Sequence, residues 1–245
     1  MQQVTVFSIG ILSENRHASG SMPFLIMGTC KQERCDRHAQ LISTVIEACN
    51  AEISTIGCPL FSIASDGESC QGSALTTLTH VHPLKVDSEL FTLLGKLHLM
   101  NTLVGNNNIM ADKDPKHVMK HCRNFVLHKS GVMINGFIIT PALLHIHLQA
   151  NKVPSHCITY LLKPTDHQDI TLCFTLLKEI WSLPPPAPTD KPGFVAARGT
   201  LLMLSSLFQH LMLPFVQVSL SLHDQLVHLS AAAHLSVYLF TVREA

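Results

Sequence analysis

Up to Ser65 the chain follows one order of patterns, and that order leaves few ways to build a domain. Val4–Leu12 (VTVFSIGIL) is rich in β-branched and apolar residues and predicts a strand. A polar, glycine-containing stretch follows, Ser13–Ser21 (SENRHASGS). A second β-rich run, Phe24–Cys30 (FLIMGTC), then predicts a hairpin with the first. Asp36 stands where it can cap a helix. The apolar positions of that helix, Leu41, Ile42, Val45, Ile46 and Cys49, fall on one stripe, and Asn50 is its stop. Leu60–Ala64 (LFSIA) is short and nearly all apolar, the pattern of a buried central strand. Strand, strand, helix, strand predicts an α/β sheet whose last strand pairs parallel to the hairpin by a right-handed crossover.

Beyond Ser69 the pattern turns helical, through Gly72–Leu78 (GSALTTL) and Ser88–Val104 (SELFTLLGKLHLMNTLV), with Asp87 and Glu89 marking a helix start. A glycine-asparagine turn follows at Gly105–Asn108. Asp114 then caps a helix that opens at Pro115 and runs to about Lys129. From Thr140 onward every segment reads as helix, broken by proline-rich joints. The main joint is Leu183–Pro192 (LPPPAPTDKP), a stiff extended linker. The expected organisation is therefore an α/β part over 1–135 and an all-α part over 136–245, with the boundary near Gly136. Leu201–Leu220 has the length of a membrane span and no Asp, Glu, Lys or Arg, but carries Gln209, His210 and Pro214. A buried helix is the expectation there, with a membrane segment as the minority alternative, and no membrane partner is expected.

Charge narrows the function. Only 14% of the 245 residues are Asp, Glu, Lys or Arg, against roughly 25% in typical soluble domains. The formal net charge is zero, whereas a free-standing nucleic-acid-binding domain normally shows a basic excess. Histidine is abundant, with 16 copies against 17 Lys and Arg together. The eight cysteines form no CxxC pair, several lie in apolar runs, and the N-terminus has no basic flank before an apolar core. A reduced, intracellular compartment is expected.

Asp66 is the sharpest candidate for chemistry. A carboxylate just past the C-terminal end of a central strand lies where open α/β sheets build sites, and Gly67 permits a tight turn after it. A helix-capping role accounts for the same spacing equally well. Asp112 and Asp114 could join Asp66 around a divalent cation, since hard cations take oxygen ligands, but capping is the favoured reading of both. His117 and His121 have the i, i+4 spacing of a two-histidine zinc grip, without the glutamate of HExxH between them. Cys30, Cys35 and His38 form another incomplete ligand set. Structural histidines are the favoured reading in both cases. His80, His82, His145 and His147 point to nothing specific, and the sequence has no nucleophile elbow, P-loop or GxGxxG.

The run Ile63–Glu68 (IASDGE), followed by Asp112–Asn124 (DKDPKHVMKHCRN), resembles the transposase core of P-element and related cut-and-paste elements. That family carries a strand ending in Asp-Gly and, further on, the motif Asp-Pro-Pro-His-x-x-Lys-x-x-Arg-Asn. Asp114, Pro115, His117, Lys120, Arg123 and Asn124 match it, with Lys116 where the family has a second proline. The chain also resembles, over nearly its whole length, a multi-copy group of fungal proteins without an assigned function. Leu176–Pro186 (LLKEIWSLPPP) and Asp224–Leu235 (DQLVHLSAAAHL) are part of that likeness.

The resemblance implies an RNase H-like core, followed by the start of a helical insertion. It implies three carboxylates, two Asp and a Glu, that bind two metal ions, Mg²⁺ or Mn²⁺, for DNA strand cleavage and joining. Asp66 corresponds to the second Asp. The strand bearing the first should precede Val4, where three residues leave no room, and the family's Glu should lie beyond the insertion. Glu179 reads as a helix residue of that insertion. One carboxylate of three implies no catalysis, no cofactor and a vestigial role for Asp66. In the order 3-2-1-4-5 of such sheets, loss of the first strand should separate the hairpin from the strand at Leu60. Partners implied by the resemblance are DNA or sister transposase chains, and the implied location is the nucleus.

The related group carries acidic residues at Asn106, Asn107 and Asn108, and arginines around His121 and Cys122. Asp-to-Asn and Arg-to-His or Arg-to-Cys changes are what C-to-T transitions produce. A degenerate copy of the element would account for the low charge and the many histidines together. Two other readings stand beside the inert fragment. One is a domesticated module that meets DNA or protein through Pro141–Tyr238. The other is a small metal-dependent enzyme centred on Asp66, Asp112, Asp114 and His117.

Overall fold

The computed structural model describes residues 2–10, 21–30, 34–65, 69–95, 101–163 and 168–244. Asp66, Gly67 and most of the Ser13–Ser21 turn lie outside the described residues. The chain is mixed α/β with a helical C-terminal region, and it divides into two compact units, Met1–Asp112 and Lys113–Ala245.

In the first unit, β1 (Gln2–Ile9) and β2 (Met22–Cys30) form the expected antiparallel hairpin, with a bulge between Phe7 and Ser8. Val6 lies opposite Ile26 and Phe7 opposite Leu25. Phe7 turns inward, whereas Val6 and Ile26 are exposed. The next helix, α1 (Cys35–Ala51), begins without a side-chain cap. Asp36 is not the cap but sits in the first turn, where its Oδ1 accepts from Arg34 Nε at 3.2 Å and its charge suits the helix N-terminus. A single turn, α2 (Ile53–Ile56), leads to β3 (Ser62–Ser65). Then come α3 (Ser69–Thr79), β4 (His82–Pro83), α4 (Glu89–Leu94), β5 (Leu103–Val104) and β6 (Met110–Lys113). Ala39 and Ile42 of α1 pack with Ala74 and Leu75 of α3, and Phe7 and Ile63 lie against this small core.

Three expectations need correction here. Among the described residues β3 pairs with β6 and not with the hairpin, and Met110 N donates to Phe61 O at 2.9 Å. β3 is also half-buried rather than buried, because its other edge faces a cavity. The helix expected over Ser88–Val104 is confirmed only over Glu89–Leu94. Leu103 and Val104 instead form β5 against β4. Ser88 caps α4, its side chain accepting from Phe91 N at 3.1 Å. Asn107 and Asn108 take left-handed φ of 58° and 59°, which asparagine tolerates better than most residues.

The second unit holds α5 (Pro115–Val126), β7 (Val132–Ile134), β8 (Phe137–Ile139), α6 (Pro141–Ala150), α7 (Ser155–Leu162), α8 (Ile170–Trp181), α9 (Pro192–Val216) and α10 (Leu222–Glu244). The β7–β8 hairpin turns at Asn135-Gly136, with φ of 48° and 77°. That is a two-residue turn only Gly, Asn and Asp take readily. Its Ile134 and Ile139 share one core with Met119 and Val126 of α5 and with α6 to α9. The units therefore divide upstream of the composition boundary near Gly136.

Helix starts follow from capping. Thr140 accepts from Leu143 N at 3.2 Å ahead of Pro141, and Asp169 Oδ1 accepts from Leu172 N at 2.9 Å. α9 is long and apolar enough to cross a membrane. Its Leu201, Leu204, Phe208 and Met212 stripe is packed in the helical core, as expected of a buried helix. Each such side chain, once buried, contributes about 1.5–3 kcal/mol.

Candidate functional site

Asp114 and Pro115 open α5 as the sequence predicts. Asp114 Oδ1 accepts from Lys116 N at 2.9 Å, and Oδ2 pairs with His117 Nδ1 at 2.9 Å. Burial works to raise the Asp114 pKa. The Lys116 backbone N–H and the His117 and Lys116 charges outweigh it, so the carboxyl stays below its usual 3.8. Along the same helix, Lys120 Nζ donates to Gln168 Oε1 at 2.8 Å. Arg123 is buried at 1% exposure. Its Nη1 donates to Asp169 O, and its Nε and Nη2 to Asn124 Oδ1, each at 3.4 Å. Lys120 and Arg123 thus tie α5 to the residues just before α8.

Their outer face forms an open cleft of about 800 Å³, lined by His117, Lys120, His121, Asn124, His128, Lys129 and Gln168 among others. Among the described residues the lining holds Lys120, Lys129 and three histidines, and no Asp or Glu. Ammonium groups are partners for phosphate oxygens.

Among the described residues the other candidates do not gather, and Asp66 lies outside them. Asp112 is exposed on β6 in the first unit, while Asp114 belongs to the second. Among the described residues, no three His, Cys, Asp or Glu side chains are placed to hold a metal ion. His121 lines the cleft beside His117, whose Nδ1 is already engaged by Asp114. Cys35 is exposed and His38 buried, and the Cys30 side chain lies outside the described residues. Glu179 sits half-buried within α8, as a helix residue should.

Sequence reasoning passed over the most buried polar centre of the second unit. His147 is fully buried, and its Nδ1 accepts from Arg198 Nε at 3.0 Å. Arg198 also donates to Pro184 O at 2.9 Å and to His147 O at 3.2 Å. Phe194 lies against both, with its ring 4.2 Å from the His147 ring and 5.1 Å from the Arg198 Cζ. The only signal was an arginine at the head of a long apolar helix.

No protein-family model, curated protein or solved structure matches this chain.

Proposed function

We propose that this chain is a non-catalytic, degenerate fragment of a cut-and-paste DNA transposase with an RNase H-like core. The observation that carries the reading is the engagement of Asp114. Both of its oxygens are committed within the first turn of α5, so the carboxylate nominated beside Asp66 as a metal ligand serves as a helix cap. A two-metal centre needs several carboxylate oxygens turned toward the ions, and a lone Asp66 supplies one group. The motif then has a structural role: Asp114 and His117 close the first turn of α5, and Lys120 and Arg123 tie it to the residues just before α8. In this reading the ancestral Mg²⁺ or Mn²⁺ is not bound, and a nuclear location follows from descent. Incubation of the full chain with supercoiled plasmid and Mn²⁺ tests it. No nicking above a protein-free control is expected, and nicking lost in Asp66→Ala would overturn it.

A second reading, a domesticated interaction module, is favoured by one observation. The outer face of α10 leaves Leu226, Val227, Val237 and Tyr238 exposed, on a helix whose other side packs on α9. Exposed apolar stripes of this kind are seats for protein partners. The cleft on α5 gives the same module a phosphate-directed face. Leu226→Glu with Val237→Glu should abolish any self-association seen by light scattering. Unchanged mass would remove this reading.

A further inference from the structure

The helices α9 and α10 pack along one another, and two half-buried histidines meet between them. His210 lies as far before the end of α9 as His228 lies after the start of α10, so the chain's turn back brings them to one level. Their Nδ1 atoms are 2.8 Å apart, and their rings are 4.9 Å apart between centroids, tilted at 46°. A hydrogen bond between two ring nitrogens needs one N–H and one lone pair. Two neutral rings supply that, and so do one neutral ring and one imidazolium. Two imidazolium rings cannot. Each then presents an N–H, and two hydrogens and two like charges face each other across a gap that holds one hydrogen.

Among the described residues no other group relieves that conflict. The charge acting on His210 is that of His228. Of the elements packed on α9 and α10, β7 and β8 carry no titratable side chain, and no acid or base of α5 or α8 acts on His210. Asp224, one turn before His228, interacts with it and with His223, but it is exposed, and its Oδ2 already accepts from Ser221 Oγ at 2.6 Å. His234, further along α10, donates from Nδ1 to Ser230 O at 2.8 Å instead.

The helices beside the pair are poised to part. Pro214 occupies the position whose N–H would bond to His210 O, and proline has none, so the α9 ladder is already broken there. α9 buries Leu201, Leu204, Phe208 and Met212 in the helical core. Of the described side chains of α10, only Ala232 is buried, and Leu239 alone lies against that core. An element with so little buried surface opens at a lower cost than the core it lies on.

We propose that the His210–His228 pair is a pH-operated latch, which fastens α10 to α9 while the two nitrogens hold one hydrogen between them and releases α10 when both rings are protonated. Burial first, and His228 second, hold the His210 pKa below 6.5. The latch is therefore closed above 6.5 and opens as pH falls through the lower, folded value. Opening uncovers Ala232 and Leu239. The inference rests on the geometry of the pair, and stands whether or not the chain descends from a transposase.

Amide hydrogen exchange of the full chain, corrected for the intrinsic pH dependence of exchange, tests it at about pH 7.5 and about pH 5. Protection over Leu226–Tyr238 should fall about tenfold or more at the lower pH. A glutamine amide offers both an N–H and an oxygen, so it satisfies the remaining ring in either charge state. In His228→Gln, and separately in His210→Gln, the fall should therefore vanish from α10, while Ile170–Trp181 in α8 behaves as in the wild type. Circular dichroism at about pH 7.5 should be unchanged in both variants. Protection of α10 that ignores pH in the wild-type chain, or an acid-induced fall that survives both substitutions, would overturn the proposal.

Discussion

Arg198 Nε donates to His147 Nδ1 at 3.0 Å, joining two residues that lie 51 positions apart in the chain. Arginine cannot accept, so His147 is neutral here, with its hydrogen on Nε2. That Nε2 is buried and has no partner among the described residues. The guanidinium also holds the carbonyl of Pro184, so the proline-rich joint between α8 and α9 is pinned to the helical core.

Arg198→Ala removes three hydrogen bonds and leaves a void in the core, and should cost about 2–4 kcal/mol. Urea denaturation followed by circular dichroism measures it. Arg198→Lys should recover only part of the loss, because an ammonium cannot reproduce the guanidinium's fixed fork. A change within error of the wild type would show that the joint is held by packing alone.

Acid should weaken the fold through His147. Burial first, and the Arg198 charge second, hold its pKa at about 4 against an ordinary 6.5, with Asp190 opposing. The unfolded chain takes up this proton below its ordinary pKa, while the folded chain refuses it. The stabilisation is therefore complete above 6.5 and lost as pH falls toward about 4. His210 acts in the same direction, through burial and its contact with His228, whose Nδ1 lies 2.8 Å from its own. Urea midpoints between about pH 7.5 and pH 5 should fall, and His147→Gln should flatten the profile without levelling it.

Asp114→Ala removes the cap of α5 and should cost about 0.5–2 kcal/mol. Asp114→Asn keeps an acceptor for Lys116 N and should cost less. Because the folded pKa lies below 3.8, the charge-dependent part is present above 3.8 and lost as pH falls through the folded value. Thermal denaturation of both variants reads the difference. Equal losses would argue that the His117 contact outweighs the cap.

Cysteine reactivity should divide by burial. Burial, and then the neighbouring Cys173, push the Cys122 thiol up to about 12, and burial also raises Cys173 against the charges of Arg123 and Lys120. Cys35 and Cys58 are exposed. Iodoacetamide at neutral pH, followed by mass spectrometry, should label Cys35 and Cys58 first and Cys122 and Cys173 only in urea. Uniform labelling would place α5 and α8 apart.

Local chemistry was legible and long-range pairing was not. The β1–β2 hairpin, α1, the Asp114-Pro115 start of α5 and the buried stripe of α9 can all be read from spacing. The β7–β8 hairpin carries the signal Val-Met-Ile-Asn-Gly-Phe-Ile-Ile, which sequence analysis used only as a boundary. β4 and β5, two residues each, are too short to show a period of two. The pairing of β3 with β6 and the meeting of His147 with Arg198 depend on partners some fifty positions away, which no window reaches. Of the candidate site, the cap was foreseen. The convergence of His117, Lys120, His121, His128 and Lys129 on one cleft needed the helix and the turn after it.

The central claim, that no metal-dependent chemistry survives around Asp66, meets its most direct test in calorimetric titration of the full chain with Mg²⁺ or Mn²⁺. Asp66→Ala serves as the control. The account predicts heats of dilution alone, identical for both proteins. Saturable binding that disappears in Asp66→Ala would contradict it, and would require other carboxylates to complete a metal centre there.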